Sequence, residues 1–216
     1  QFGTWMQRTA VVWVVYSITH SAFMLGLTVF AEQFPSFLFT AFGGVAADRY
    51  NKYKIVNITQ ITSLIQACLL AVLVMTKHYQ IWEILVLSVI LGVINAYDIP
   101  ARQSMINEVV TDKEDLPSAL SLSAAMASIA KLLGPAVSGI VLEKFGADIC
   151  FLLNAASFGA VMLSIAFMKK PKTVHRKSDK NVFKELKDGF DYLKKEASIS
   201  LVILMLCIVS LLVLPY

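Results

Sequence analysis

The chain has 216 residues, 57% of them hydrophobic and 16% charged, with a formal net charge of +4 and a mean hydropathy of +0.67. That balance is too apolar for a soluble domain of this length, and it makes the bilayer the expected solvent. Cys68, Cys150 and Cys207 all fall inside apolar runs, which argues against both a disulfide framework and a metal-binding cysteine set.

A membrane-spanning helix needs about 20 apolar residues. Such runs lie at 22–47, 55–76, 81–99, 120–142 and 149–168, with partial runs at 2–18 and 199–216. The first run starts abruptly, with no secretory signal beside it, and the last stops before a span is complete. The expectation is an all-α membrane protein that is part of a longer chain. A six-span bundle covers 1–168, with its first span truncated, a linker covers 169–197, and the start of a seventh span covers 198–216. The linker opens on a basic, polar stretch at 169–180. After it, Val182, Phe183, Leu186, Phe190 and Leu193 share one helical face, which suits a helix lying along the membrane surface.

Fifteen of the 19 Lys and Arg follow the second, fourth and sixth runs: Arg49, Lys52 and Lys54, then Arg102 and Lys113, then the cluster over 169–195. Lys77 and Lys144 lie on the other side, and Arg8 and Lys131 fall within spans. The positive-inside rule places the basic side, and with it the amino terminus and the linker, in the cytoplasm. The net charge then reflects topology and contact with anionic lipid. Basic and aromatic residues do not interleave as in a nucleic-acid site.

After the second run stands a charged turn, Gly43-Gly44-Val-Ala-Ala-Asp48-Arg49-Tyr50-Asn51-Lys52-Tyr53-Lys54. Its two glycines allow another backbone to approach. Asp48 faces the negative end of its helix dipole, where Arg49, Lys52 and Lys54 are favoured, so Asp48 is expected to have an outside partner. The pattern returns at Gly139-Ile-Val-Leu-Glu143-Lys144-Phe145-Gly146. Copies three spans apart sit on opposite faces of the membrane, as an inverted three-plus-three repeat requires. Short loops after glycine-containing helices converge on similar chemistry, but the shared spacing and order favour the repeat.

Asp98-Ile99-Pro100-Ala101-Arg102-Gln103 closes the fourth run. Pro100 removes a backbone donor and biases Ile99 away from helical geometry, which predicts a kink or break. Asp98 or Arg102 would then reach Arg49 or Asp48. The fifth run holds Ala130-Lys131-Leu132-Leu133-Gly134-Pro135-Ala136-Val137-Ser138-Gly139. There Gly134 and Gly139 permit close helix contact and Pro135 bends the span.

Together these motifs resemble the major facilitator superfamily. Gly44, Asp48, Arg49 and Lys52 fill the family's loop signature between spans two and three, with Asn51 where Gly is usual. The Asp98–Gln103 run, with Gly3-Thr4-Trp5-Met6-Gln7-Arg8, is similar to the branch that includes the enterobactin exporter. Gly134, Pro135 and Gly139 resemble the family's antiporter motif, with Ala130 and Ser138 replacing two of its glycines. The resemblance implies the amino-terminal half of an alternating-access transporter of the bacterial inner membrane, with a carboxy-terminal six-span half missing. It implies that Asp48 acts in a cytoplasmic gate between the halves. The implied activity is export of a small hydrophobic, amphiphilic or siderophore-like compound coupled to proton entry. Uptake or lipid flipping on the same fold is the alternative. The arginine that many proton antiporters carry near the middle of span four is absent from 85–95.

A charge at the bilayer centre costs about 3 kcal/mol or more and tends to face a cavity or a partner. Arg8, Glu32 and Lys131 are the charges in question. Arg8 and Glu32 each stand about twelve residues from the turn at Thr19 and His20, so at a rise of 1.5 Å both lie about 18 Å deep. Equal depth predicts an ion pair, which Lys131 joins if it faces the same cavity. The pair is either a static packing element or a device in which Glu32 titrates during transport under the restraint of Arg8. Trp5, Gln7, Gln33, Gln66 and Asn95 are further candidates for a cavity lining, although Gln and Asn serve as often in interhelical hydrogen bonds. His20, His78 and His175 show no metal-ligand spacing, and no phosphate loop or nucleophile elbow occurs. Neither a cofactor nor an enzyme is expected, and the charges within spans argue against a non-transporting scaffold or receptor.

Overall fold

The computed structural model describes residues 1–167 other than His78, Thr111 and Lys113, together with Leu201 and Met205. The chain divides into two compact bodies, Gln1–Arg176 and Lys177–Tyr216. Of the second, only Leu201 and Met205, both helical, are described. The expected linker and its surface helix, with His175, lie outside the described residues, as does the start of a seventh span, with Cys207, apart from Leu201 and Met205.

The first body holds α1 (Phe2–Thr19), α2 (Ala22–Arg49), α3 (Lys52–Thr76), α4 (Ile81–Val109), α5 (Leu116–Phe145) and α6 (Ala147–Phe167). The helices α2 to α6 are long and apolar enough to cross a membrane, whereas α1, with 18 residues, is not among them. Lipid offers no hydrogen bonds, so each segment must satisfy its backbone internally and becomes helical. Thr9, Thr28, Thr62 and Ser88 donate to the carbonyls of Trp5, Met24, Ile58 and Ile84, four residues back. Their hydroxyls are thereby satisfied within their own helices.

The charged turn is shorter than expected. Helix α2 runs on to Arg49 and α3 begins at Lys52, leaving Tyr50 and Asn51 as the link. Asn51 caps α3, its Oδ1 accepting from Lys54 N at 3.2 Å. Gly146 alone joins α5 to α6, at φ 94, in the left-handed region that a Cβ disfavours.

The break expected at Pro100 is absent. Helix α4 continues through it to Val109, well past the expected end at 99. Pro100 has no N–H for the carbonyl of Ala96, and that carbonyl is where α2 comes closest: a Cβ on Gly43 would collide with Ala96 O. A neighbouring helix covering the freed carbonyl lets the segment stay helical.

Helix α2 lies along α4 and α5 along α1, while α3 touches α4 and α6, and α6 touches α1. Exchanging α1 with α4, α2 with α5 and α3 with α6 leaves this pattern unchanged, as an inverted three-plus-three repeat should. Detail follows the same rule. Gly43 meets the Ala96 carbonyl on one seam, and on its counterpart the fully buried Ser138 donates its Oγ to Met6 O at 3.1 Å.

An apolar core built around Ala10, Val15, Leu70, Ile84 and Phe151 fills the end of the bundle near Gly146. A smaller one, Ala47, Tyr53, Val56, Ala101 and Ile165, closes the Asn51 end.

Candidate functional site: a charged cavity beside α1, α4 and α5

Helices α4 and α5 barely meet. The space beside them is a cavity of about 730 Å³ lined by Thr4, Trp5 and Arg8 of α1, Asn95, Asp98 and Arg102 of α4, and Leu120, Ser123, Ala124 and Ala127 of α5. Its size falls within the range of small-molecule sites.

At its wall Arg8 and Glu32 form the ion pair that equal depth predicts. Arg8 Nε and Nη2 donate to Glu32 Oε1 at 2.8 and 2.6 Å, and Asn95 Nδ2 adds a longer bond of 3.4 Å to the same oxygen. Among the described residues none donates to Glu32 Oε2. The sequence explains the placement. A Cβ on Gly92 would collide with the carbonyl of Glu32, so α2 presses directly on α4 at that level. Asn95, three residues on from Gly92, lies on the same helical face. With side chains 27% and 13% exposed, the pair is shielded from the surface without being sealed off.

Lys131 reaches this cluster through an aromatic ring. Its Nζ stands 5.8 Å from the centre of the Trp5 ring, which the Arg8 guanidinium approaches to 4.8 Å. Trp5 is thus shared by two cations, an attraction that strengthens as water is excluded. Gly134 makes room for it, since a Cβ there would stand 2.6 Å from Trp5 Cβ. Among the described residues nothing stands within 4 Å of a Cβ at Gly44 or Gly139, so the close contacts expected of them are not made within this part of the chain. Helix α5 is continuous through Pro135.

Gln7 is corrected from a cavity candidate to a packing residue. It is fully buried, donating Nε2 to Gln66 Oε1 at 2.9 Å and accepting from Asn154 Nδ2 at 2.7 Å. Gln66 passes the chain on to the carbonyl of Leu87 at 3.2 Å. This ladder ties α6, α1, α3 and α4 together. It also fixes the rotation of α1 that turns Arg8 towards the cavity. Gln33, the other glutamine candidate, is exposed.

Asp98 does not reach Arg49 or Asp48. It is buried and pairs with Arg102 on its own helix, while Thr59 Oγ1 and Gln60 Nε2 donate to its Oδ1 at 2.7 and 3.0 Å. The unbroken helix through Pro100 explains the correction, because it sets Arg102 one turn from Asp98. In the charged turn, Lys52 pairs with Glu108 near the end of α4. Asp48 is exposed and forms no ion pair with a described residue.

The sequence profile of a family described as transmembrane secretion effector matches residues 1–213. The chain is similar to the staphyloferrin A transporter of Staphylococcus aureus, at 28% identity over 89% of this chain and 48% of that protein. It is also similar to an uncharacterised MFS-type transporter of Bacillus subtilis, at 23% identity over 96% of this chain and 49% of the relative. Macrolide efflux protein A of Streptococcus pyogenes is 19% identical over 87% of this chain and 47% of its own length. The chain spans about half the length of these relatives.

Proposed function

This chain belongs to the transmembrane secretion effector family of the major facilitator superfamily, and we propose that it is one half of a proton-coupled exporter of small hydrophobic, amphiphilic or siderophore-like compounds. The observation that carries the proposal is the Arg8–Glu32 pair, whose arginine lines an interhelical cavity. Three donors hold one carboxylate oxygen and leave the other without a described donor. Arg8 and a proton are alternative partners for a carboxylate held inside a span. A change of access that separates the two therefore couples proton entry to movement of cargo. Export as the direction rests on the family's description and on the name of the macrolide efflux relative.

The second half belongs against α2 and α5, whose outward side chains, Phe37 and Leu132 among them, remain exposed. Asp48, exposed at the end of α2, serves the gate towards that half. Arg49 stands beside it, while the Lys52–Glu108 and Arg102–Asp98 pairs hold the neighbouring helix ends in place. By the positive-inside rule the Asn51 end and the amino terminus face the cytoplasm of a bacterial inner membrane.

The test reconstitutes the full-length protein in vesicles loaded with an amphiphilic dye and imposes a pH gradient. Gradient-driven dye movement that Glu32→Gln abolishes supports the proposal. Undiminished, still proton-dependent export by Glu32→Gln leaves the pair as a static packing element.

A further inference from the structure

We propose that the cavity takes an organic anion with an aromatic or apolar body, its carboxylate held by Arg8 and Lys131 beside the face of Trp5. The inference deepens the transport reading and rests on it.

The charges at the cavity do not balance. Arg8 is paired with Glu32 and Arg102 with Asp98, whereas Lys131 has no carboxylate partner among the described residues. Its position is set by the helix. Leu120, Ala124 and Ala127 line the cavity along one face of α5, and Lys131 continues that face by one further turn. Its ammonium stands 5.8 Å from the centre of the Trp5 ring and the Arg8 guanidinium 4.8 Å, so the ring gathers two cations beside the cavity that Trp5 and Arg8 line. An ammonium at this depth in a span is expensive unless a counter-charge reaches it, and a carboxylate arriving with the cargo supplies one. Along α5 the site offers an apolar body a surface, since Leu120, Ala124 and Ala127 line the cavity there with Phe158 of α6, while Gln60, Ser63 and Asn107 line it elsewhere.

An incoming carboxylate also competes with Glu32 for Arg8. Charge-assisted bonds to a guanidinium are strong and geometrically selective, so the exchange frees Glu32 from its partner. It follows that removing the charge of Glu32 should tighten anion binding, whereas a cationic cargo would lose affinity from the same change.

The experiment uses the purified full-length transporter and two probes with one ring system and opposite charge, 1-naphthoate and 1-naphthylmethylammonium. The expected result is that naphthoate binds about tenfold more tightly than the ammonium, a difference of one decade in Kd. Lys131 is exposed, so Lys131→Gln leaves the packing intact, and it should weaken naphthoate binding by about fivefold or more, with Lys131→Arg restoring it. Glu32→Gln should tighten it. Unchanged naphthoate binding in Lys131→Gln overturns the inference, as it would if a carboxylate of the second half satisfies this lysine, and so does tighter binding of the ammonium. Flux of both probes in vesicles separates the two levels. Movement of the ammonium alone leaves the transport reading standing and removes the anion. Movement of neither removes both.

Discussion

Along the seam of α2 on α4, two glycines bring backbone against backbone: Gly43 beneath the Ala96 carbonyl and Gly92 against that of Glu32. Along the seam of α5 on α1, which the inverted repeat makes its counterpart, Ser138 bonds the Met6 carbonyl and Gly134 yields to Trp5. The chemistry placed on these matching frames is opposite. The first seam carries the carboxylate Glu32 with Asn95, and the second carries the cations Arg8 and Lys131 around Trp5. The close approach is repeated because it is what lets two helices pack in lipid, where small residues and van der Waals contact replace the hydrophobic drive. The charge is not repeated, so the shared close approach does not depend on it.

Substitutions that fill the first seam should break this comparison most severely. In Gly43→Val or Gly92→Val the added atoms meet backbone carbonyls that cannot rotate away, so the expected loss is about 3 kcal/mol or more, seen as a collapse of folded yield and melting temperature in detergent. Gln7→Leu removes two interhelical bonds and should cost about 1–2 kcal/mol in the same melt. It should also reduce transport by releasing the rotation of α1 that aims Arg8. Gly44→Ala and Gly139→Ala sharpen the comparison from the other side. No described residue stands within 4 Å of a Cβ at either position, so the packing of this half should be unchanged, and a fall in melting temperature of the full-length protein would place both glycines against the second half.

The architecture was largely legible in the residues. Apolar runs located six helices, and counting residues from the turn near His20 found the Arg8–Glu32 pair, because depth in a helix is fixed by its rise. Rotation was not legible in the same way. Gln7 and Arg8 are neighbours in depth but point about 100° apart around the helix, so one is sealed in a polar ladder while the other faces the cavity. The same step separates Gly43, which meets α4, from Gly44, which meets no described residue. Composition gave no direct sign of Thr59, Gln60 and Asn154. Each is an ordinary polar residue in a span, yet Thr59 and Gln60 serve Asp98, and Asn154 ends the Gln7 ladder. The need was visible, since a carboxylate near the end of an apolar run calls for donors, but which helix supplies them depends on packing. Pro100 misled for a related reason. Its local preference against helix is offset by α2, whose Gly43 covers the carbonyl it frees.

The role of Glu32 is tested most directly by separating proton movement from cargo movement in one protein. Purified full-length transporter in vesicles, with a pH-sensitive dye in the lumen, should move protons with cargo during net efflux. In Glu32→Gln proton movement should vanish while exchange of labelled for unlabelled cargo, which needs no net proton transfer, persists. Proton movement that continues with cargo in Glu32→Gln would contradict the account and return the Arg8–Glu32 pair to a purely structural role.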